Sequence, residues 1–103
     1  MTPTIETLRD LLVQSLHPHK VILFGSRATG EARPDSDIDL LVVMESALPM
    51  EDRVLLARRA LRPLKMSKDV FVYTPEEFAR FSTWTSGIVR EAIDHGRVLY
   101  EAA

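Results

Sequence analysis

A nearly continuous aliphatic run from Ile38 to Met44 is the feature that most constrains how this chain folds. Such a run is typical of a strand that is buried on both faces in the middle of a sheet. Shorter apolar runs, rich in β-branched and aromatic residues, occur at Val21 to Phe24 and at Val70 to Tyr73. The three segments predict a sheet in which the run from Ile38 forms a central strand.

Apolar residues recur at three- and four-residue steps between these strands, which indicates amphipathic helices. The pattern predicts helices over Thr4 to Leu16 and over Glu51 to Leu64. The sequence Thr74-Pro75-Glu76-Glu77 opens a third helix that continues through Phe81, because threonine is a favoured cap and proline is tolerated at the first helical position. A last helix covers Ile88 to the residue before Gly96.

The remaining segments connect or end these elements. The stretch from Ser26 to Ser36 is polar and contains glycine and proline, so it is predicted to be a connection. The helical pattern is interrupted near Ser82 to Ser86. The last predicted element is a short extended tail, Val98 to Tyr100. The predicted fold class is α/β, with a small mixed β-sheet of three or four strands covered by helices.

Length and composition restrict the class of protein. The 103 residues fit a single domain spanning residues 1–103, and 46% hydrophobic against 27% charged residues is ordinary for a globular protein. A formal net charge of −2 argues against a broad nucleic-acid grip, since that needs many lysines and arginines. There is no cysteine, no signal peptide and no apolar run long enough to cross a bilayer, so we expect a cytoplasmic protein without membrane contact.

Two aspartates mark the start of the central strand. Asp37 and Asp39 are two residues apart, so their side chains project from the same face, at positions roughly 6 to 7 Å apart along the backbone. Two carboxylates at about 5 Å repel by about 3 kcal/mol at an effective dielectric constant of 20. A hard cation such as Mg²⁺ relieves that repulsion, because it binds carboxylates together with phosphates and water. The alternative is that both aspartates simply cap or solvate the end of a strand.

The turn after the first strand is a candidate phosphate-binding loop. Gly25 lacks a side chain, which lets backbone N–H groups approach a phosphate, and Ser26 adds a hydroxyl donor. Arg27 adds a cation for phosphate oxygens, and Gly30 a second flexible point. For the glycines alone, a polar hairpin-like connection remains the alternative.

A third acid starts the strand that ends at Tyr73. Asp69 is poorly explained by strand propensity. If its strand lies beside the one that begins at Ile38, Asp69 joins the same metal cluster. The alternative is a solvent-facing residue just outside the sheet, next to Ser67 and Lys68.

Together these residues resemble a known signature. Gly25-Ser26, ten intervening residues, Asp37-Ile38-Asp39-Leu40 and a later Asp69 in a strand are similar to the motif of the DNA polymerase beta-type nucleotidyltransferase superfamily. The chain as a whole resembles the minimal nucleotidyltransferases (MNT proteins), which are often encoded beside a HEPN-domain protein as its antitoxin. Lys68 departs from the pattern, because an apolar residue usually precedes the third aspartate.

The resemblance implies a palm-like nucleotidyltransferase fold and assigns roles to the motif. Gly25 and Ser26 would hold the phosphates of ATP, Asp37 and Asp39 would bind two Mg²⁺ ions, and Asp69 would complete the metal site and help activate the acceptor hydroxyl. The implied function is transfer of a nucleoside monophosphate, AMP from ATP, onto a hydroxyl of a HEPN-type partner protein. Whether the chain forms homo- or hetero-oligomers stays open.

Two other classes of function stay open. One is a catalytically silent module that neutralises its partner by occlusion. The other, ranked last because its usual catalytic domain is longer, is a sugar-nucleotide transferase with an Asp-x-Asp pair.

Two surface features receive simpler interpretations. The basic cluster is predicted to be a solvated helix face, with contact to a partner ranked above contact to RNA; it comprises Arg53, Arg58, Arg59, Arg62, Lys65 and Lys68. Phe78, Phe81 and Trp84 recur at three-residue steps and are predicted to pack in the core, or to form a partner surface if part of them is exposed.

Overall fold

The structure, a computed structural model, describes residues 5–32 and 36–103. Thr4, the predicted start of the first helix, and residues 33–35 of the predicted polar connection lie outside these ranges. In chain order the elements are α1 (Ile5–Leu16), β1 (Lys20–Phe24), α2 (Ser26–Thr29), β2 (Ile38–Val43), α3 (Met50–Ala60), β3 (Lys68–Tyr73), α4 (Pro75–Phe81), α5 (Ile88–His95) and β4 (Arg97–Glu101). This order confirms the predicted α/β class.

The four strands form one mixed sheet in the order β3-β2-β1-β4. β1 is antiparallel to both of its neighbours, whereas β2 and β3 are parallel. Parallel neighbours need a crossover connection, and α3 supplies it. The tail that was predicted as a short extended segment is β4, which pairs with β1 at the edge of the sheet. The run from Ile38 forms a central strand, as predicted.

Helices cover both faces of the sheet. On the first face, Leu40 and Val42 of β2 pack in one hydrophobic cluster with residues of α1 and α3, namely Leu8, Leu12 and Ala57. On the second face, Leu41 and Val43 pack with residues of β1 and α5, namely Ile22, Phe24, Val89 and Ala92. Alternating side chains of one strand therefore enter two cores, which explains why the aliphatic run from Ile38 is nearly continuous.

A buried arginine joins three elements on the β3 side of the sheet. The Arg53 side chain is 7% exposed, and its Nη1 donates to Glu77 Oε1 at 2.7 Å and to the Val72 carbonyl at 2.9 Å. Glu77 also forms the capping box of α4, accepting from the Thr74 N–H at 2.9 Å while the Glu77 N–H donates to Thr74 Oγ1 at 3.1 Å. The prediction that Arg53 belongs to a solvated helix face was wrong, because its guanidinium has buried partners.

Other departures from the predicted elements have local causes. The helix predicted to reach Leu64 ends at Ala60, shortly before Pro63, which cannot continue a helix. The predicted connection after Gly25 contains the single turn α2. Phe81 packs with the second core, but Trp84 is 54% exposed, so the prediction of core packing was wrong for the tryptophan.

Candidate functional site

The turn after β1 places Gly25 against the carboxylate of Asp39. Gly25 has a φ of +76°, a left-handed conformation that favours glycine. Phe24 is the register partner of Asp39 across the antiparallel pair, so the next residue lies beside that carboxylate. A Cβ on Gly25 would overlap Asp39 Oδ2 and lie 3.1 Å from Asp39 Cγ. The turn thus requires glycine both for its backbone conformation and for its contact with Asp39.

The parallel pairing of β2 and β3 brings two of the predicted site residues together. Asp39 and Asp69 are register partners on neighbouring strands. Both alternate with the residues of the first core, so they lie on the second face of the sheet. Asp37 directly precedes β2 and is exposed, as is Asp69, whereas Asp39 is half-buried. Asp69 was expected to join the other two aspartates only if its strand lay beside the strand that begins at Ile38. The pairing of β3 with β2 meets that condition.

The three carboxylates repel one another. Partial burial, followed by the negative charges of Asp69 and Asp37, raises the pKa of the Asp39 carboxyl above its ordinary value. No ion pair or hydrogen bond to these three side chains occurs within residues 5–32 and 36–103. The fold therefore gathers negative charge here, and no cationic side chain of the described residues pairs directly with these carboxylates.

This arrangement fits a cation that also takes ligands from a substrate. In the described part of the chain, no group of three or more His, Asp or Glu side chains is already arranged around a metal position. Mg²⁺ usually takes only one or two carboxylates and completes its six oxygen ligands with phosphates and water. Asp37 and Asp39, with Asp69 beside them, are therefore suited to hold Mg²⁺ with coordination positions left for phosphate and water oxygens.

Lys68, which departs from the family pattern, does not neutralise the site. Its Nζ donates to the Leu64 carbonyl at 2.6 Å and to the Met66 carbonyl at 2.9 Å. Neighbouring residues of a strand point to opposite faces, so Lys68 and Asp69 diverge. The lysine stabilises the turn that leads into β3 and leaves the carboxylate of Asp69 without a counter-charge from it.

Arg27 has hydrogen-bond partners that the sequence did not reveal. Its Nε and Nη2 donate to the carbonyl of Ser36, at 3.2 and 2.8 Å. Ser36 directly precedes Asp37, so the guanidinium joins α2 to the segment that carries the first aspartate. The spacing of the motif indicated a phosphate-binding cation, and no sequence signal marked a contact to a backbone carbonyl nine residues away.

The fold and site together define a class: a small mixed sheet with a Gly-Ser turn, an aspartate directly before one strand, and two aspartates paired on adjacent strands. A family model described as "Polymerase beta, Nucleotidyltransferase" matches residues 6–103. The chain belongs to this nucleotidyltransferase family. Among the residues described, no helix is long and apolar enough to span a membrane.

Similar proteins agree with this assignment. A curated Methanocaldococcus jannaschii protein, provisionally named a protein adenylyltransferase, is 32% identical over 81 residues, which cover 79% of this chain and 77% of that protein. A solved toxin-antitoxin structure with AMP-PNP matches with a TM-score of 0.68 at 21% identity, and the match covers 96% of this chain and 75% of the chain in that structure. The structure of the tri-AMPylated Shewanella oneidensis HEPN toxin in complex with MNT antitoxin matches with a TM-score of 0.56 at 19% identity. This match covers 92% of this chain and 67% of the chain in that structure.

Proposed function

We propose that the protein transfers AMP from ATP onto a hydroxyl group of a HEPN-type partner protein, with Mg²⁺, and thereby acts as an antitoxin. The observation that carries the proposal is the cluster of Asp37, Asp39 and Asp69, which lies against the Gly25 turn and has no cationic partner in the described residues. Such a cluster has a chemical use when a divalent cation and a polyphosphate arrive together.

The turn at Gly25 and Ser26 is proposed to hold the phosphates. The missing side chain of Gly25 lets the turn lie directly against the carboxylate of Asp39. The Ser26 hydroxyl and the first N–H groups of α2 are donors suited to phosphate oxygens. The triphosphate would therefore lie next to both this turn and the carboxylates, so that its oxygens would complete the ligands of Mg²⁺.

The aspartates are proposed to divide two tasks. Asp37 and Asp39 would hold two Mg²⁺ ions against the triphosphate. When bound, the ions stabilise the negative charge that develops on the transferred phosphorus group and on the departing pyrophosphate. Asp69, on the edge strand β3, is exposed and open to an incoming group, so it would orient the acceptor hydroxyl and accept its proton.

The choice of ATP and of a protein acceptor rests on the similar proteins. The relative from Methanocaldococcus jannaschii is named for adenylyl transfer to protein, and one neighbour was solved with AMP-PNP, an analogue of ATP. In another neighbour an MNT antitoxin is bound to an AMPylated HEPN toxin. The proposed partner of this chain is accordingly a HEPN-type protein that offers a hydroxyl group.

Incubation with labelled ATP, Mg²⁺ and the cognate partner tests the proposal. The partner should gain a mass equal to one or more AMP units, and the double variant Asp37→Asn with Asp39→Asn should add none while remaining folded. Asp52→Asn, an exposed acid of α3, is the matched control and should leave transfer unchanged. If no adduct forms and the double variant still neutralises the partner, the protein is instead a silent binding module that acts by occlusion.

A further inference from the structure

We propose that Arg27 is a positioning residue for the metal-binding carboxylates rather than a ligand of the phosphates. This inference rests on the proposed function, because it concerns how the same site is held in shape. The guanidinium of Arg27 would fix the backbone at Ser36 and thereby set the direction in which the side chain of Asp37 projects.

The backbone around Asp37 is held on both sides. Before it, the Ser36 carbonyl accepts two hydrogen bonds from the planar fork of Arg27, at 3.2 and 2.8 Å. After it, the Ile38 N–H donates to the Ser67 carbonyl at 3.0 Å, just before β3 begins. Asp37 itself lies outside the sheet, so these two contacts fix the short segment that carries it.

The two contacts tie the site to the elements around it. Arg27 lies on α2, which follows the Gly25 turn directly, and Ser67 precedes the strand that carries Asp69. The phosphate turn, the Asp37 segment and the third aspartate thus share one hydrogen-bonded frame. Groups that orient metal ligands without touching the metal typically change metal affinity about 10- to 100-fold when they are removed.

The sign of the change in metal affinity distinguishes positioning from charge. Arg27 is a cation near an acidic site, so removing its charge alone should strengthen the binding of another cation. If the arginine mainly holds Asp37 in place, its removal should weaken cation binding in spite of the lost repulsion. If it mainly binds phosphate, metal affinity without nucleotide should stay the same or rise.

The test is a Mn²⁺ titration of nucleotide-free protein, with free Mn²⁺ measured by electron paramagnetic resonance. Arg27→Gln should bind Mn²⁺ about tenfold more weakly than the wild type. Arg27→Lys keeps the charge but lacks the planar fork, and it should also bind more weakly. Arg59→Gln removes the same charge at an exposed position of α3 and should bind like the wild type. Circular dichroism confirms that each variant is folded.

A second titration, of ATP in the presence of EDTA, completes the test. Under positioning, Arg27→Gln and the wild type bind metal-free ATP equally. The proposal is overturned if Arg27→Gln keeps or gains Mn²⁺ affinity, if it loses affinity for metal-free ATP, or if the wild type binds no Mn²⁺ without nucleotide. These results do not depend on turnover, so an absence of AMP transfer to the partner would overturn the proposed function and leave this inference standing.

Discussion

The Arg53–Glu77 pair and the cluster of Asp37, Asp39 and Asp69 differ in how their charges are balanced. In the pair, opposite charges are in contact, whereas the cluster contains charges of one sign. Arg53 and Glu77 meet in two contacts, at 2.7 and 3.2 Å. Arg53 also donates to the Leu48 and Val72 carbonyls, and Glu77 also accepts from the Thr74 N–H. The three aspartates have no such partner in the described residues, and the pKa of Asp39 is raised by burial and by its acidic neighbours.

The difference separates charge that serves the fold from charge that serves a ligand. Hydrogen bonding from Arg53 and from the Thr74 N–H lowers the pKa of Glu77, so the ionised form is favoured in the folded protein. At Asp39 the ionised form is disfavoured by partial burial and by the negative charges of Asp69 and Asp37, which raise the pKa of its carboxyl. The Arg53–Glu77 pair therefore stabilises the folded chain, whereas the charge of Asp39 is unfavourable in it.

The largest expected effect is on the rate of transfer and comes from Asp69, a member of the aspartate cluster. Asp69→Asn should leave much of the affinity for ATP in place, because Asp37, Asp39 and the Gly25 turn remain. The rate of transfer should fall about a hundredfold or more, roughly 3 kcal/mol, since the lost interaction is made mainly in the transition state. Single-turnover transfer at saturating ATP measures this change.

The same variant also tests whether Asp69 is only a residue at the edge of the sheet. In that case the rate would stay unchanged and stability would shift by no more than about 0.5 kcal/mol, as for most exposed positions. A folded Asp69→Asn variant with the wild-type rate would remove Asp69 from the catalytic residues. A thermal melt, run beside the kinetics, shows whether the variant is folded.

The next largest expected effect is on stability and concerns the Arg53–Glu77 pair. Glu77→Gln should lower the free energy of unfolding by about 2 kcal/mol, because the buried charge of Arg53 then has no opposite charge beside it. This is less than the about 3 to 5 kcal/mol typical of a fully buried pair, since the Glu77 side chain is 27% exposed. Urea unfolding at neutral pH measures the loss. Glu76→Gln, one residue earlier in the first turn of α4 and exposed, is the matched control.

The pH dependence of that loss follows from the direction of the pKa change. Because the folded pKa of Glu77 lies below its ordinary value of 4.5, the stabilisation is present above about pH 4.5 and disappears as the pH falls through the folded pKa. The difference in stability between wild type and Glu77→Gln should therefore narrow in acid. A difference that stays constant from pH 7 to pH 3 would mean that the charge of Glu77 is not what stabilises α4.

The smallest expected effect is a gain in stability. Asp39→Asn removes a carboxylate whose charge is disfavoured by burial and by two like charges, so it should raise the free energy of unfolding. Solvent still reaches this half-buried group and screens the repulsion, so the gain should be about 0.5 kcal/mol. Thermal melts at neutral pH without divalent cations measure it. A clear destabilisation would mean that Asp39 is part of the structural framework.

The comparison also explains what the sequence could predict. The aliphatic run from Ile38 and the capping sequence from Thr74 act locally, so the central strand and the start of α4 could be predicted from spacing alone. The family resemblance likewise predicted the α/β fold with its mixed sheet. The grouping of Asp39 with Asp69 was predicted only on condition that their strands were neighbours, because strand order is not written in local periodicity.

The contacts that depend on tertiary structure were missed or misread. Arg53 lies one turn before Ala57, on the buried face of α3, and not with the exposed Arg58 and Arg59. Its ion-pair partner, Glu77, is on another helix, so the spacing within α3 does not identify it. The contact between Gly25 and Asp39 depends on the register of two antiparallel strands. The contact of Arg27 with Ser36 depends on the path of the connecting segment, which spacing does not determine.

Calorimetric titration of ATP, with Mg²⁺ and then with EDTA, tests most directly the central claim that the aspartate cluster is built for a cation brought together with a polyphosphate. With Mg²⁺ the wild type should bind ATP at least about tenfold more tightly than in EDTA, because the bare carboxylates would otherwise face the triphosphate with like charge. The double variant Asp37→Asn with Asp39→Asn should lose this dependence on Mg²⁺. Equal affinity of the wild type for ATP in Mg²⁺ and in EDTA would contradict the account.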